Sequence, residues 1–102
     1  MTPYQRGARL EYRARDALRA QGYAVMRSAG SHGPADLVAL NAREVLLVQV
    51  KHAGQLLRLA LNALASLRTP PNTRKQVWVY EPARGRTPAH WRIIETHRRK
   101  PK

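Results

Sequence analysis

Apolar positions follow a helical period at the start of the chain and a period of two in its middle, and the changes between them mark the elements. Across residues 4–21, Leu10, Ala14, Ala17 and Leu18 recur at helical spacing and Gly22 closes the segment, which predicts a helix. Gly7, Leu10, Ala14 and Leu18 share one arc of it, while Arg6, Arg9, Arg13, Asp16 and Arg19 take the opposite side. Glu11 breaks the division: it lies near Leu18 and Tyr4, at the edge of the apolar arc. A carboxylate facing the body of a protein needs a partner such as a cation or a metal.

Residues 23–27 predict a short strand, followed by the loop SAGSHGP; residues 36–40 and 45–51 predict two more strands, joined by NARE. If Leu40 opposes Val45 across that turn, Asp36 falls opposite Gln49, and alternation sends Lys51 to the same face as Gln49. Local geometry thus gathers Asp36, Gln49 and Lys51 at one end of a hairpin. Residues 55–68 predict a second helix whose polar positions, Gln55, Arg58, Asn62 and Ser66, form one narrow stripe. A helix so apolar is buried on more than one side; a sheet can cover one, and a partner subunit is expected to cover another. Pro70 and Pro71 end it, and KQVWVY and HWRIIET predict closing strands around the turn-rich EPARGRTP, with Trp78 and Trp91 as core or interface anchors. The order predicts an α/β domain, residues 1–97, with a mixed central sheet of about five strands flanked by helices, and a basic tail at 98–102.

Composition narrows the partners. Nineteen Lys and Arg against six Asp and Glu give a net charge of +13, which favours a polyanion because each neutralised phosphate releases counterions. The absence of cysteine excludes a disulfide framework and a Cys-based zinc site. No segment has the apolar core of a signal peptide or the length of a membrane span, so a cytoplasmic location and no membrane partner are expected.

Two carboxylates, an amide oxygen and a lysine suit metal-assisted hydrolysis of a phosphodiester. Mg²⁺ prefers oxygen ligands and keeps several waters, so Glu11, Asp36, the Gln49 side-chain oxygen and the Val50 carbonyl form a candidate ligand set, with Mn²⁺ as a substitute. A metal there would acidify a bound water and offset charge on the phosphate. Lys51 would position that water or oppose the growing negative charge, and Ser31 would hold a phosphate or a metal-bound water.

The segment GARLEYRARDALRAQGYAVMRSAGSHGPADLVAL followed by VLLVQVK resembles the PD-(D/E)XK nuclease superfamily, and within it the archaeal-type Holliday junction resolvases. The likeness runs over residues 5–52 and rests on Glu11, Arg27, Ser31, Asp36, Gln49 and Lys51, standing where that family has a first-helix glutamate, a strand arginine, a loop serine, an aspartate and Glu-x-Lys. It implies a restriction-endonuclease-like core and Mg²⁺-dependent cleavage of four-way or otherwise branched DNA by a homodimer. Gln49 departs from the family's usual glutamate; Gln-x-Lys versions occur in Mrr-like and related repair nucleases. A neutral ligand removes one negative charge and should weaken metal affinity. The alternatives are therefore an Mrr-like or repair endonuclease on another DNA, or an inactive DNA-binding protein of the same fold. Under the nuclease reading Arg6, Arg9, Arg13, Arg27 and His32 are candidate DNA contacts, His32 and His52 flank the site, and Arg98, Arg99 and Lys100 add nonspecific affinity.

Overall fold

Strand β3 (Val45–His52) is the axis on which the rest of the molecule is arranged. In the computed structural model, which describes residues 2–28 and 33–96, it is the central member of a five-stranded sheet of order β1-β2-β3-β4-β5. The other elements are α1 (Pro3–Ala20), β1 (Ala24–Arg27), β2 (Leu37–Leu40), α2 (Arg58–Ser66), β4 (Thr73–Glu81) and β5 (His90–Thr96). β1, β2 and β3 pair antiparallel, α2 carries the chain across so that β4 runs parallel to β3, and β5 returns antiparallel to β4. The mixed sheet of five strands agrees with the sequence expectation.

α1 begins where local chemistry dictates. Thr2 and Gln5 form a reciprocal capping box, Thr2 Oγ1 accepting from the Gln5 N–H and Gln5 Oε1 from the Thr2 N–H, and Pro3 occupies the first helical turn. Past the Gln21 cap the chain reverses at Gly22, whose φ of 96° suits a residue without Cβ. Alternation along β3 sorts two cores. Leu46, Val48 and Val50 face α1 and pack with Ala14, Leu18, Leu37 and Trp78, while Leu47 turns to the α2 side with Leu64, Val77 and Val79.

The second helix starts later than its composition predicts, at Arg58 rather than at residue 55. Gln55 is taken up by the turn after β3: its Oε1 accepts the His52 N–H at 2.9 Å, its own N–H donates to the His52 carbonyl, and Gly54 supplies φ 89°. At the other end Lys75, between Arg74 and Gln76 in β4, is only 3% exposed and donates to the carbonyls of Ala65 and Leu67. It closes the C-terminus of α2, which has no basic residue of its own in its last turn.

Hydrogen bonds also tie the sheet across its width at the end where β4 begins. Trp78 Nε1 donates to Gln76, Gln76 Nε2 to Glu95, and Arg74 bridges Glu95 and Glu44, which in turn accepts from the Tyr23 hydroxyl. The Glu44 hydrogen bond holds the Tyr23 phenol above its ordinary pKa, and Glu95 raises that of Arg74, so both stay protonated. That end of the sheet is braced. The opposite end, where β3 finishes, is open.

A carboxylate and amide cluster at the open end of the sheet

β2 keeps the expected register with β3 only as far as Leu37. Leu40 faces Val45 and Leu37 faces Val48, but the Asp36 N–H also donates to the Val48 carbonyl, at 2.8 Å. Two successive residues are thus set against Val48, which is a β-bulge. Strict alternation would place Asp36 on the face of Val38 and Leu40. The bulge turns it instead toward Val50, whose N–H donates to Asp36 Oδ2 at 2.8 Å. Asp36 therefore precedes β2 rather than heading it, and its side chain takes a position in the ladder that a main-chain carbonyl would otherwise fill.

This re-aiming brings Asp36 to a cavity of about 270 Å³ shared with Arg6 and Glu11 from α1 and with Gln49, Lys51 and His52 from β3. Burial raises the Asp36 pKa first of all; the Val50 N–H opposes that, Glu11 adds to it, and Lys51 and Arg27 lower it. The ion pairs isolate this aspartate. Glu11 is paired with Arg27, Asp16 with Arg15, Glu44 and Glu95 with Arg74, and Glu81 with Arg92. Among the described residues Asp36 is the one acidic side chain without a basic partner within salt-bridge distance, in a chain of net charge +13.

Glu11 finds the cation that its position on the helix demanded. Arg27 Nε donates to Glu11 Oε1 at 2.6 Å, both side chains are largely buried, and Arg27 also lies over the Tyr12 ring, 4.9 Å from its centroid. The Glu11 hydrogen bond raises the Arg27 pKa. Arg27 is thus placed to hold Glu11 and is turned inward rather than displayed. Gln49 has the opposite character: its Oε1 is buried and accepts no hydrogen bond among the described residues. A buried oxygen in that state costs free energy unless a ligand satisfies it.

The donor set fits a hard divalent cation. Glu11 and Asp36 are each anchored through one oxygen, the amide oxygen of Gln49 is unspent, and the Val50 carbonyl faces the bulged side with its own N–H, as strand geometry requires. Among the described residues no three His, Cys, Asp or Glu side chains converge, so a cation would rest on this mixed set of oxygens.

Of the remaining candidates, Arg6 lines the cavity, Arg9 is exposed, and Arg13 lies against Tyr80, donating to its hydroxyl at 3.0 Å. Ser31, His32, Arg98, Arg99 and Lys100 fall outside the described residues. Sequence reasoning assigned Gln55 to a helix, and it lines the cavity beside His52 instead. Gly54, four residues after the apolar run ends at Val50, is the signal for that turn.

Two comparisons bear on this arrangement. The family model described as archaeal Holliday junction resolvase (hjc) matches residues 2–64, a stretch that contains α1, the first three strands and most of α2. The 1.6 Å structure of Archaeoglobus fulgidus Hjc, a Holliday junction resolvase from an archaeal hyperthermophile, superposes with a TM-score of 0.68 at 24% identity, over 88% of this chain and 72% of that one. That likeness shows a shared fold.

Proposed function

The chain belongs to the archaeal Holliday junction resolvase family, and on that premise we propose that it is a metal-dependent endonuclease that cuts four-way and similarly branched DNA. The observation that carries the chemistry is the pairing of an unneutralised aspartate with a buried, unsatisfied amide oxygen in one cavity of a strongly basic chain. Glu11, Asp36, Gln49 and the Val50 carbonyl would hold Mg²⁺, or Mn²⁺ in its place; bound there, the ion supplies a water of lowered pKa and offsets charge on the phosphate.

The protein's own groups supply position and field. The Val50 N–H holds Asp36, and Arg27 holds Glu11, so neither carboxylate has to reorganise as charge develops. Lys51, on the cavity wall, presents its ammonium to the phosphate oxygens, where negative charge grows in the transition state. Arg6 lines the mouth from α1 and is suited to a neighbouring phosphate of the same strand. Ser31, His32 and the basic tail are proposed to extend these contacts.

The test is cleavage of a four-way junction beside duplex, splayed and single-stranded DNA, with Mg²⁺ and with EDTA. Cutting confined to branched DNA and abolished by EDTA is expected. Equal cutting of every substrate would remove junction selectivity, and cutting in EDTA would remove the metal.

Two cuts in opposing strands call for two sites, and the surface of α2 offers a contact for a second copy. Leu56 and Leu59 are 88% and 76% exposed. With Ala60 and Ala63 they line a second cavity of about 440 Å³, which Gln49 and Lys51 border from the other side. A homodimer packed on this face would cover the apolar side of α2 and set its interface against the site. Leu59→Asp is expected to give a folded monomer by light scattering and circular dichroism, since the side chain is exposed in the single chain, with a melting temperature that no longer rises with protein concentration. A wild-type protein that is monomeric at micromolar concentration would sink the dimer.

No helix among the described residues is long and apolar enough to cross a membrane. A cytoplasmic location is proposed from the DNA substrate.

A further inference from the structure

We propose that the β4–β5 hairpin is a rigid finger that grips one arm of the branched DNA, with Arg84 and Arg86 at its tip on the phosphate backbone beside the cleavage cavity. The identity of the ligand rests on the nuclease reading above; the finger itself rests on its own geometry.

The hairpin does not end where β4 and β5 end. Glu81 faces His90, and three residues further the same register returns with Arg84 facing Thr87. Pro82 and Pro88, which have no N–H to donate, interrupt the ladder between these pairs and fix their own φ. The tip is closed by a reciprocal pair, Arg84 N–H to Thr87 O at 2.9 Å and Thr87 N–H to Arg84 O at 3.0 Å. Only Gly85 and Arg86 lie between them. Gly85 has φ 60° and no non-glycine residue has positive φ among the described residues, which is a II′-type reversal that demands glycine at its first position. At the root, Arg92 and Glu81 form an ion pair at 3.2 Å.

Beyond its root at Pro82 this well-defined ribbon stands in solvent: residues 82–90 are all exposed. Ordering a turn of this kind for no contact is a cost without return, and the groups it displays are cationic. Neither Arg84 nor Arg86 is ion-paired among the described residues. A two-stranded ribbon has the width that a DNA groove admits, and arginine is suited to phosphate oxygens.

Direction ties the finger to the site. β3 and β4 are parallel and His52 faces Tyr80, so β4 leaves the sheet at the end where Gln49, Lys51 and His52 lie. At strand rise the tip reaches about 13 Å past Glu81. A recess of about 310 Å³, lined by Arg6, Leu10, His52, Ala53, Tyr80 and Pro82, connects the carboxylate cavity to the root of the hairpin. A strand seated at the cavity would have its neighbouring phosphates within reach of Arg6 and then of the tip.

The test is equilibrium binding of a fluorescent four-way junction in EDTA, as a function of KCl, by the full chain. The Arg84→Ala/Arg86→Ala double variant should bind at least about tenfold more weakly and lose about two units of salt slope, one per phosphate contact. Arg19→Ala/Arg43→Ala removes the same charge from the braced end of the sheet and should leave the slope unchanged. Gly85→Val keeps both arginines but disfavours the tip conformation, and should weaken binding comparably with an unchanged melting temperature. Equal losses in the two double variants would reduce the finger to net charge and overturn the proposal, as would wild-type binding by Gly85→Val. Because binding is read in EDTA, a protein that binds junctions but cuts nothing would refute the nuclease reading and still decide this one.

Discussion

Asp36→Asn should lower junction cleavage by on the order of 10³-fold or more, the loss of about 4 kcal/mol of transition-state charge stabilisation, while junction affinity in EDTA stays within a few-fold or tightens. The same substitution should raise the melting temperature of the metal-free protein at neutral pH. Burial pushes the Asp36 pKa above its ordinary 3.8, so the folded state resists the charged form. At a pH above the folded value the carboxylate is charged in both folded and unfolded chains, and only the folded chain bears the desolvation cost. As pH falls through the raised folded value toward 3.8, protonation relieves that cost, and stability contributed by this group increases. Asparagine carries no such cost at any pH, and its amide oxygen can still accept the Val50 N–H. The stability difference between variant and wild type should therefore be largest at neutral pH and shrink through that acidic window. Mg²⁺ should stabilise wild type by mass action and the variant far less. Wild-type cleavage by Asp36→Asn would remove Asp36 from the chemistry. A melting temperature that falls at neutral pH would show that its charge serves structure instead.

The strained burial of Asp36 could not be read from the chain, although the residue itself could. Alternation and a four-residue turn are enough to place Asp36 near Gln49, because pairing of Leu40 with Val45 sets the whole hairpin. The bulge at Asp36 escapes such reasoning. It inserts one residue into the count, and what stabilises it is a side chain bonding to the Val50 N–H across the strand pair. Without the bulge Asp36 would face away from α1; with it, Asp36 and Glu11 share a cavity.

Arg27 is the complementary case. The helical wheel shows that Glu11 needs a cation, and resemblance singles out Arg27, but only the packing of α1 on β1 joins the two. Arg27 thereby moves from a proposed phosphate contact to the residue that fixes a carboxylate. Lys75 and Gln55 were opaque for a related reason. Each satisfies main-chain groups at the end of an element, and which ends require help depends on what the loop before or after them leaves unpaired. The apolar face of α2, by contrast, was legible as a need without an occupant: Leu59, and Leu56 just before the helix, stand in solvent in the single chain.

Gln49 is the proposed ligand that departs from the acidic residue the resemblance leads one to expect, and opposite substitutions there separate a ligand from a structural role. Gln49→Leu removes a buried oxygen that has no partner among the described residues. An unsatisfied group of this kind costs about 1–3 kcal/mol, so the metal-free protein should melt higher, by about 4–8 °C per kcal/mol recovered in a domain of this size. If the oxygen is a metal ligand, that gain comes with a loss of cleavage on the order of 10²-fold at fixed Mg²⁺, comparable with or beyond the loss of a supporting group. Gln49→Glu should do the reverse. In EDTA a further negative charge beside Glu11 and Asp36 should lower the melting temperature and lift the Asp36 pKa further, because like charges disfavour one another's ionised forms. With Mg²⁺ the same charge becomes an advantage, so the metal-induced rise in melting temperature should exceed that of wild type and half-maximal cleavage should occur at lower Mg²⁺. A Leu variant that is more stable and cuts as wild type does would make Gln49 a structural residue and leave Glu11, Asp36 and Val50 to hold the ion alone. Opposite shifts in stability and metal dependence, from one residue changed in two directions, follow only if the Gln49 oxygen is kept unsatisfied for a cation.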